Sequence, residues 1–113
     1  MEVKKTKING VFLIKPQIFK DKRGYFFESF NSKEFKKAIG FDGQFVQDNQ
    51  SLSSNNVLRG LHFQHPPFAQ AKLVSVIKGE VLDVVVDIRK ESDTYGEYVA
   101  AYLTEKNHHQ LYI

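Results

Sequence analysis

The sequence predicts an all-β protein, a β-sandwich or barrel with one short helix near residues 32–39. Two observations carry that expectation. Short segments rich in Val, Ile, Phe and Tyr recur along the chain with turn-forming residues between them, which is the signature of many short strands. Only one segment has both a helix start signal and a stop signal, and many strands with one small helix fit a sandwich or barrel. The 113 residues suffice for a single domain spanning 1–113, and no repeat, low-complexity run or Pro/Ser-rich linker marks a boundary.

The segments follow in order. Residues 11–14 are apolar and β-branched, and residues 25–30 are aromatic-rich after the turn signal Asp21-Lys22-Arg23-Gly24. Residues 45–49, 57–63, 71–77, 81–88, 98–103 and 110–113 complete the expected strands. The helix is bounded by local chemistry. Asn31 can cap it, Glu34 stands where a reciprocal capping partner belongs, and Phe30 can staple onto Phe35. Phe35, Ala38 and Ile39 share a face, and Gly40 is placed to end the helix.

The clearest hairpin joins residues 71–77 to 81–88. A two-residue turn at Lys78-Gly79 would put Val74 opposite Asp83 and Lys72 opposite Val85. Lys72 and Asp83 would then be diagonal neighbours on one face, within reach of a long side chain. A slip of one residue would separate them.

Composition excludes several classes of function. The hydrophobic fraction of 42%, with 10 Phe and 5 Tyr, supports a real core despite the small size. The net charge of +3 is mild, and Lys4, Lys5 and Lys7 lie at an N-terminus expected to fray. Nucleic-acid binders carry a denser basic stripe, whereas a small anionic ligand suits this balance. There is no cysteine, hence no disulfide and no thiolate chemistry. Apolar runs such as Val84-Val85-Val86 are far too short for a bilayer, so a cytoplasmic protein without membrane contact is expected. The last expected strand ends on apolar Ile113 without turn residues, which predicts that the natural chain continues.

Among residues that can do chemistry, Arg59 and His62 flank Gly60 in an otherwise apolar run. Glycine inside a strand often marks close approach of a ligand or another backbone. On composition alone, an edge strand with a solvated Arg59 and a hydrogen-bonded His62 is the favoured reading. Both side chains would line one site only if a bend near Gly60 broke the strand alternation. Lys72 sits among apolar neighbours, either snorkelling to a rim or occupying a pocket with Asp83 as counter-charge. Gln47, Asn49, Arg23 and Glu28 are polar residues at strand-like positions, for which turn chemistry and solvated charge are the plainer account. A metal is not expected. His62 and His65 are spaced so that their rings diverge on a strand, and residues 63–71 hold no Asp or Glu.

Taken together, the motifs resemble one family. Asp21-Lys22-Arg23-Gly24-Tyr25-Phe26-Phe27-Glu28-Ser29-Phe30 is similar to its N-terminal signature, as is Phe45-Val46-Gln47-Asp48-Asn49 followed by Ser51. Val57-Leu58-Arg59-Gly60-Leu61-His62-Phe63-Gln64 resembles its hallmark strand. Lys72-Leu73-Val74, Lys78-Gly79-Glu80-Val81 and Asp83-Val84-Val85-Val86-Asp87-Ile88-Arg89 resemble its central hairpin. The family is that of the dTDP-4-dehydrorhamnose 3,5-epimerases, metal-free members of the cupin jelly-roll superfamily. The resemblance covers nearly the whole chain but only about the first three fifths of a typical member.

The resemblance implies an isomerase that moves protons beside the 4-keto group of a TDP-linked 6-deoxyhexose, with no cofactor. It implies His62 as the base, Lys72 as donor to the carbon-4 oxygen, Arg59 on the diphosphate or sugar, and Gln47 and Asn49 on the nucleotide. Arg23, Phe26 and Glu28 match residues that reach the neighbouring subunit's nucleotide site, implying a homodimer with exchanged N-terminal segments. The role of Asp83 rests on the hairpin register alone. The family's proton-returning tyrosine has no match here, and Tyr95, Tyr98, Tyr102 and Tyr112 are read as packing residues. Related readings are a one-carbon epimerase, a ketoisomerase on a similar TDP-sugar, or a non-catalytic nucleotide-sugar-binding jelly roll.

Overall fold

A computed structural model describes residues 1–113. Strands β1 (Glu2–Lys5) and β2 (Phe12–Lys15) form the first antiparallel pair. The N-terminal lysines are thus held in register rather than frayed, because Val3 pairs with Ile14 and the intervening loop is itself anchored. In that loop the Thr6 hydroxyl sits 3.1 Å from the Ile8 carbonyl and 2.9 Å from that of Val11, which drives Ile8 and Val11 into the core.

A small separate hairpin follows, β3 (Phe19–Asp21) with β4 (Gly24–Phe26), and all six of its residues are exposed. The strand expected over 25–30 therefore stops at Phe26. Helix α1 (Ser32–Ile39) starts and ends where local chemistry predicts. The Asn31 side chain accepts from the Glu34 amide at 3.2 Å, and Gly40 closes the helix at φ 74° with its N–H donating to the Lys36 carbonyl. The Asn31 side-chain amide donates to Glu28, and the reciprocal bond expected between the Glu34 side chain and the Asn31 backbone N–H does not form. Phe35 is buried and Ala38 is exposed. Phe30 packs on Phe35 with ring centroids 5.4 Å apart.

No regular element occurs between α1 and β5 (Leu73–Ser75). Residues 45–49 and 57–63, expected as strands, have no pairing partner, and Val46, Leu58 and Leu61 lie exposed. An apolar alternation makes a strand only where another strand offers hydrogen bonds. Then come β6 (Glu80–Val86), β7 (Tyr98–Thr104) and β8 (Gln110–Tyr112).

The hairpin predicted from Lys78-Gly79 does not form. Strand β5 pairs with β8, giving a four-stranded sheet in the order β1-β2-β8-β5, and β6 pairs with β7 in a second sheet. Gly79 is engaged elsewhere. Its N–H donates to the Glu105 carboxylate, and its carbonyl accepts from the Glu105 N–H, both at 3.0 Å. That pair of bonds closes the open end of the β6–β7 ladder.

The two sheets lie face to face, the usual way for each to bury an apolar side. Leu13, Val74, Leu111 and Ile113 of the first pack with Val85, Val99, Ala101 and Leu103 of the second. On the opposite side of the four-stranded sheet, Phe35 and Phe41 pack edge-on against Tyr112. Tyr112 is a packing residue as expected. Tyr95, Tyr98 and Tyr102 are 57–65% exposed and are not, because Tyr98 and Tyr102 lie on the face of β7 turned away from the core. The sheets stay open and do not close into a barrel.

Candidate functional site

Alternation along paired strands decides which side chains enter the space between the sheets. Lys72 exchanges two 2.9 Å backbone hydrogen bonds with Ile113, extending the β5–β8 ladder by one pair. Lys72 therefore shares a face with Val74, Leu111 and Ile113, the inward face. Asp83 lies opposite Ala101 in the β6–β7 ladder and shares the inward face with Val85. The two residues thus approach from opposite sheets, not as neighbours in one hairpin.

Electrostatics agree with that placement. Burial pushes the Asp83 carboxyl above the usual carboxylate range, and the Lys72 ammonium pulls it part of the way back. A desolvated carboxylate tempered by a facing cation is a pattern common in functional sites. Lys72 itself remains exposed, so the pair opens to solvent at the Lys72 end.

The remaining candidates lie on irregular segments. His62 and Arg59 flank Gly60, whose φ of 110° is a conformation that side chains other than glycine resist. A Cβ added at Gly60 would stand 3.3 Å from the His62 Nδ1 atom. The bend anticipated at Gly60 is present, although no strand surrounds it. Arg59 donates from Nε to the Ser53 hydroxyl at 2.9 Å and from Nη2 to the Leu52 carbonyl at 3.1 Å. Gln47 donates to the Asn49 side chain at 3.1 Å, so these two are brought together. Neither His62 nor Arg59 shares a hydrogen bond with Lys72 or Asp83.

Arg23 folds back on Asp21 with a bidentate contact of 2.6 and 3.1 Å, which holds the Asp21 carboxyl below its ordinary range. Phe26 is 71% exposed on the β3–β4 hairpin, and Glu28 accepts from Asn31 at 3.2 Å. No group of three or more His, Cys, Asp or Glu side chains is arranged to hold a metal ion. No helix is long and apolar enough to cross a membrane.

Sequence patterning gave no signal for a second acidic centre at Asp87. Its buried carboxylate takes 2.8 Å bonds from both Arg89 Nε and Nη2, one of 2.6 Å from Ser92 and one of 2.7 Å from Thr94. The Arg89 bonds, then those of the two hydroxyls, hold it far below the usual range. Arg89 also donates to the Asn9 carbonyl at 2.9 Å, tying the end of β6 to the β1–β2 loop. With every acceptor engaged, Asp87 is an architectural knot.

The open all-β sandwich thus carries Lys72 and Asp83 on the inward faces of its two sheets, while Arg59, Gly60 and His62 lie on an irregular exposed segment. The family model described as dTDP-4-dehydrorhamnose 3,5-epimerase matches residues 5–113. This chain belongs to that family. It is 52% identical over 113 residues to the dTDP-4-dehydrorhamnose 3,5-epimerase of Shigella flexneri, covering 100% of this chain and 62% of that protein. The crystal structure of dTDP-6-deoxy-D-glucose-3,5-epimerase from Legionella pneumophila in complex with dTDP-4-keto-L-rhamnose superposes with a TM-score of 0.94 at 46% identity, covering 99% of this chain and 59% of that one. A 3'-monoepimerase from Streptomyces bikiniensis in complex with dTDP-quinovose gives 0.89 at 33% identity, covering 96% and 55%. The chain thus spans about three fifths of the length of the relatives it matches. The expected cupin-type, all-β fold is the one these solved relatives share.

Proposed function

We propose that this protein is an isomerase that epimerises dTDP-4-dehydro-6-deoxyglucose at carbons 3 and 5, yielding dTDP-4-dehydrorhamnose for dTDP-rhamnose biosynthesis in the cytoplasm. The observation that carries this reading is the Lys72–Asp83 pair between the sheets, in a chain of this family.

Hydrogens on carbons 3 and 5 become acidic only because their loss gives an enolate delocalised onto the carbon-4 oxygen. His62 takes the proton, a step in which a positioned base contributes ~10²–10⁴-fold, and a solvent-derived proton returned to the opposite face of the enolate completes the inversion. The Lys72 ammonium donates to the oxygen as it becomes negative, usually the larger electrostatic contribution. Asp83 faces that ammonium across the sandwich and supplies a counter-charge that helps aim it. Because the substrate's own carbonyl takes up the electron pair, no cofactor is needed.

Arg59 exchanges its contacts to Ser53 and Leu52 for the diphosphate, whose oxygens suit a guanidinium. Gln47 and Asn49 hydrogen-bond the nucleotide. Arg23, Phe26 and Glu28 lie on and just beyond the exposed β3–β4 arm and reach the nucleotide site of a second copy, making a homodimer.

A second reading, epimerisation at one carbon only, is favoured by the likeness to the Streptomyces 3'-monoepimerase. Incubation with dTDP-4-dehydro-6-deoxyglucose in deuterated water, followed by NMR, separates the two. Deuterium at both carbons is expected. Deuterium at carbon 3 alone selects the one-carbon reading, and TDP binding with no deuterium at either overturns catalysis in favour of a binding module.

A further inference from the structure

Nothing within the β3–β4 hairpin explains why it holds one orientation. Two strands alone are at best marginally stable in water, and all six of these residues are exposed. The hairpin has two faces. Phe19 pairs with Phe26 on one, and Lys20 pairs with Tyr25 on the other. The Tyr25 face meets an imidazole from a distant part of the chain. The His108 ring centroid lies 4.6 Å from that of Tyr25 and 4.9 Å from that of Phe27. Tyr25 and Phe27 are themselves 6.1 Å apart, so the half-buried imidazole is gripped by both rings. Such aromatic contacts contribute beyond simple area burial.

The turn that presents His108 is rigid for reasons of its own. Asn107 accepts from the Thr104 amide at 3.1 Å and the His109 amide at 2.9 Å, and donates to the Tyr102 carbonyl at 3.0 Å. The Thr104 hydroxyl accepts from the Lys106 and Asn107 amides at 3.2 and 3.0 Å. His108 sits at φ 52°, a left-handed conformation that histidine tolerates better than most residues. Two residues on, Gln110 donates to the Ser29 carbonyl at 2.8 Å, fastening the segment just after the arm to β8.

The geometry points to His108 as a positioning residue: its ring clasps Tyr25 and Phe27 and so turns Arg23 and the Phe19–Phe26 face outward for nucleotide binding. This deepens the functional reading above and rests on it, because Arg23 and Phe26 are there assigned to the nucleotide. The clasp acts on the arm's orientation and touches no reacting atom.

His108→Asn removes the ring while keeping a residue compatible with the left-handed backbone. Phe27→Leu attacks the same contact from the other side without touching the turn. Hydrogen exchange followed by mass spectrometry is expected to show about tenfold faster exchange over residues 19–26 in each, with β6–β7 unchanged. The double variant should add little to either, because both remove one contact. TDP binding measured by calorimetry should weaken about tenfold in each, with the thermal midpoint held. Unchanged exchange over 19–26, loosening that extends into β6–β7, or additive effects in the double variant each overturn the clasp. Faster exchange over 19–26 with unaltered TDP affinity overturns its positioning role. If the parent protein binds no TDP, the functional reading falls, and exchange alone still decides whether the clasp exists.

Discussion

Lys72 and Asp83 approach one another from opposite sheets, each on the strand face that turns inward. Lys72 is exposed while Asp83 is half-buried, so the carboxylate bears most of the desolvation, tempered by the charge of Lys72. Burial of this kind is unfavourable to folding and is retained where chemistry needs it.

Asp83 therefore trades stability for function. Its folded pKa is raised above the unfolded value of ~3.9. Its favourable contribution is complete below about pH 4 and is lost as pH rises through the raised folded value. At neutral pH, Asp83→Asn is expected to leave the thermal midpoint unchanged or higher while slowing solvent exchange into the substrate. A calorimetric scan beside the deuterium assay checks both.

Lys72→Met keeps the aliphatic stem and removes the donor. Deuterium incorporation should fall by ~10²–10³, the usual effect of deleting one oxyanion donor. TDP affinity should hold, since the lost interaction develops only as the enolate forms.

His62→Asn removes the base and should lower deuterium incorporation by ~10²–10⁴. Retained TDP binding would separate this effect from misfolding. Unchanged exchange at both carbons would move the base to another residue.

Asp87 has the opposite linkage from Asp83. Its pKa is depressed, so its contribution to stability is present above about pH 4 and lost as pH falls towards the folded value. Asp87→Asn should lower the thermal midpoint by several degrees at pH 7 and flatten its fall below pH 4. Thermal scans of both forms across pH 2–7, an interval set about the ~3.9 reference value, check the sign.

Leu103 is fully buried between the sheets and Leu82 is 52% exposed on the outer face of β6. Leu103→Ala should cost ~2–5 kcal/mol in urea unfolding. Leu82→Ala should stay within about 0.5 kcal/mol.

What was legible in the sequence was local. Asn31, Phe35 and Gly40 fix the helix through contacts within a few residues, and structure and expectation agree there almost position by position. The partner of a strand is not local. Lys78-Gly79 looked like a tight hairpin turn, yet Gly79 bonds Glu105 and β5 crosses to β8, because both choices bury the same apolar face. Alternation survived that error. It put Lys72 and Asp83 on inward faces under either pairing, which is why the pair was found by an incorrect route. Residues 45–49 and 57–63 have strand-like alternation without a partner, so their candidates Gln47, Asn49, Arg59 and His62 come to lie on irregular backbone. His108 drew notice in the sequence only as one of four histidines weighed for a metal, since its contacts are with rings more than eighty positions away in the chain.

Gly60 gives residue 60 very little freedom to vary. A methyl group there would meet the imidazole of His62 at 3.3 Å and would burden a backbone angle of 110° that alanine resists. A side chain at residue 60 would therefore strain the backbone of the bend and require the neighbouring imidazole to give way by a few tenths of an ångström.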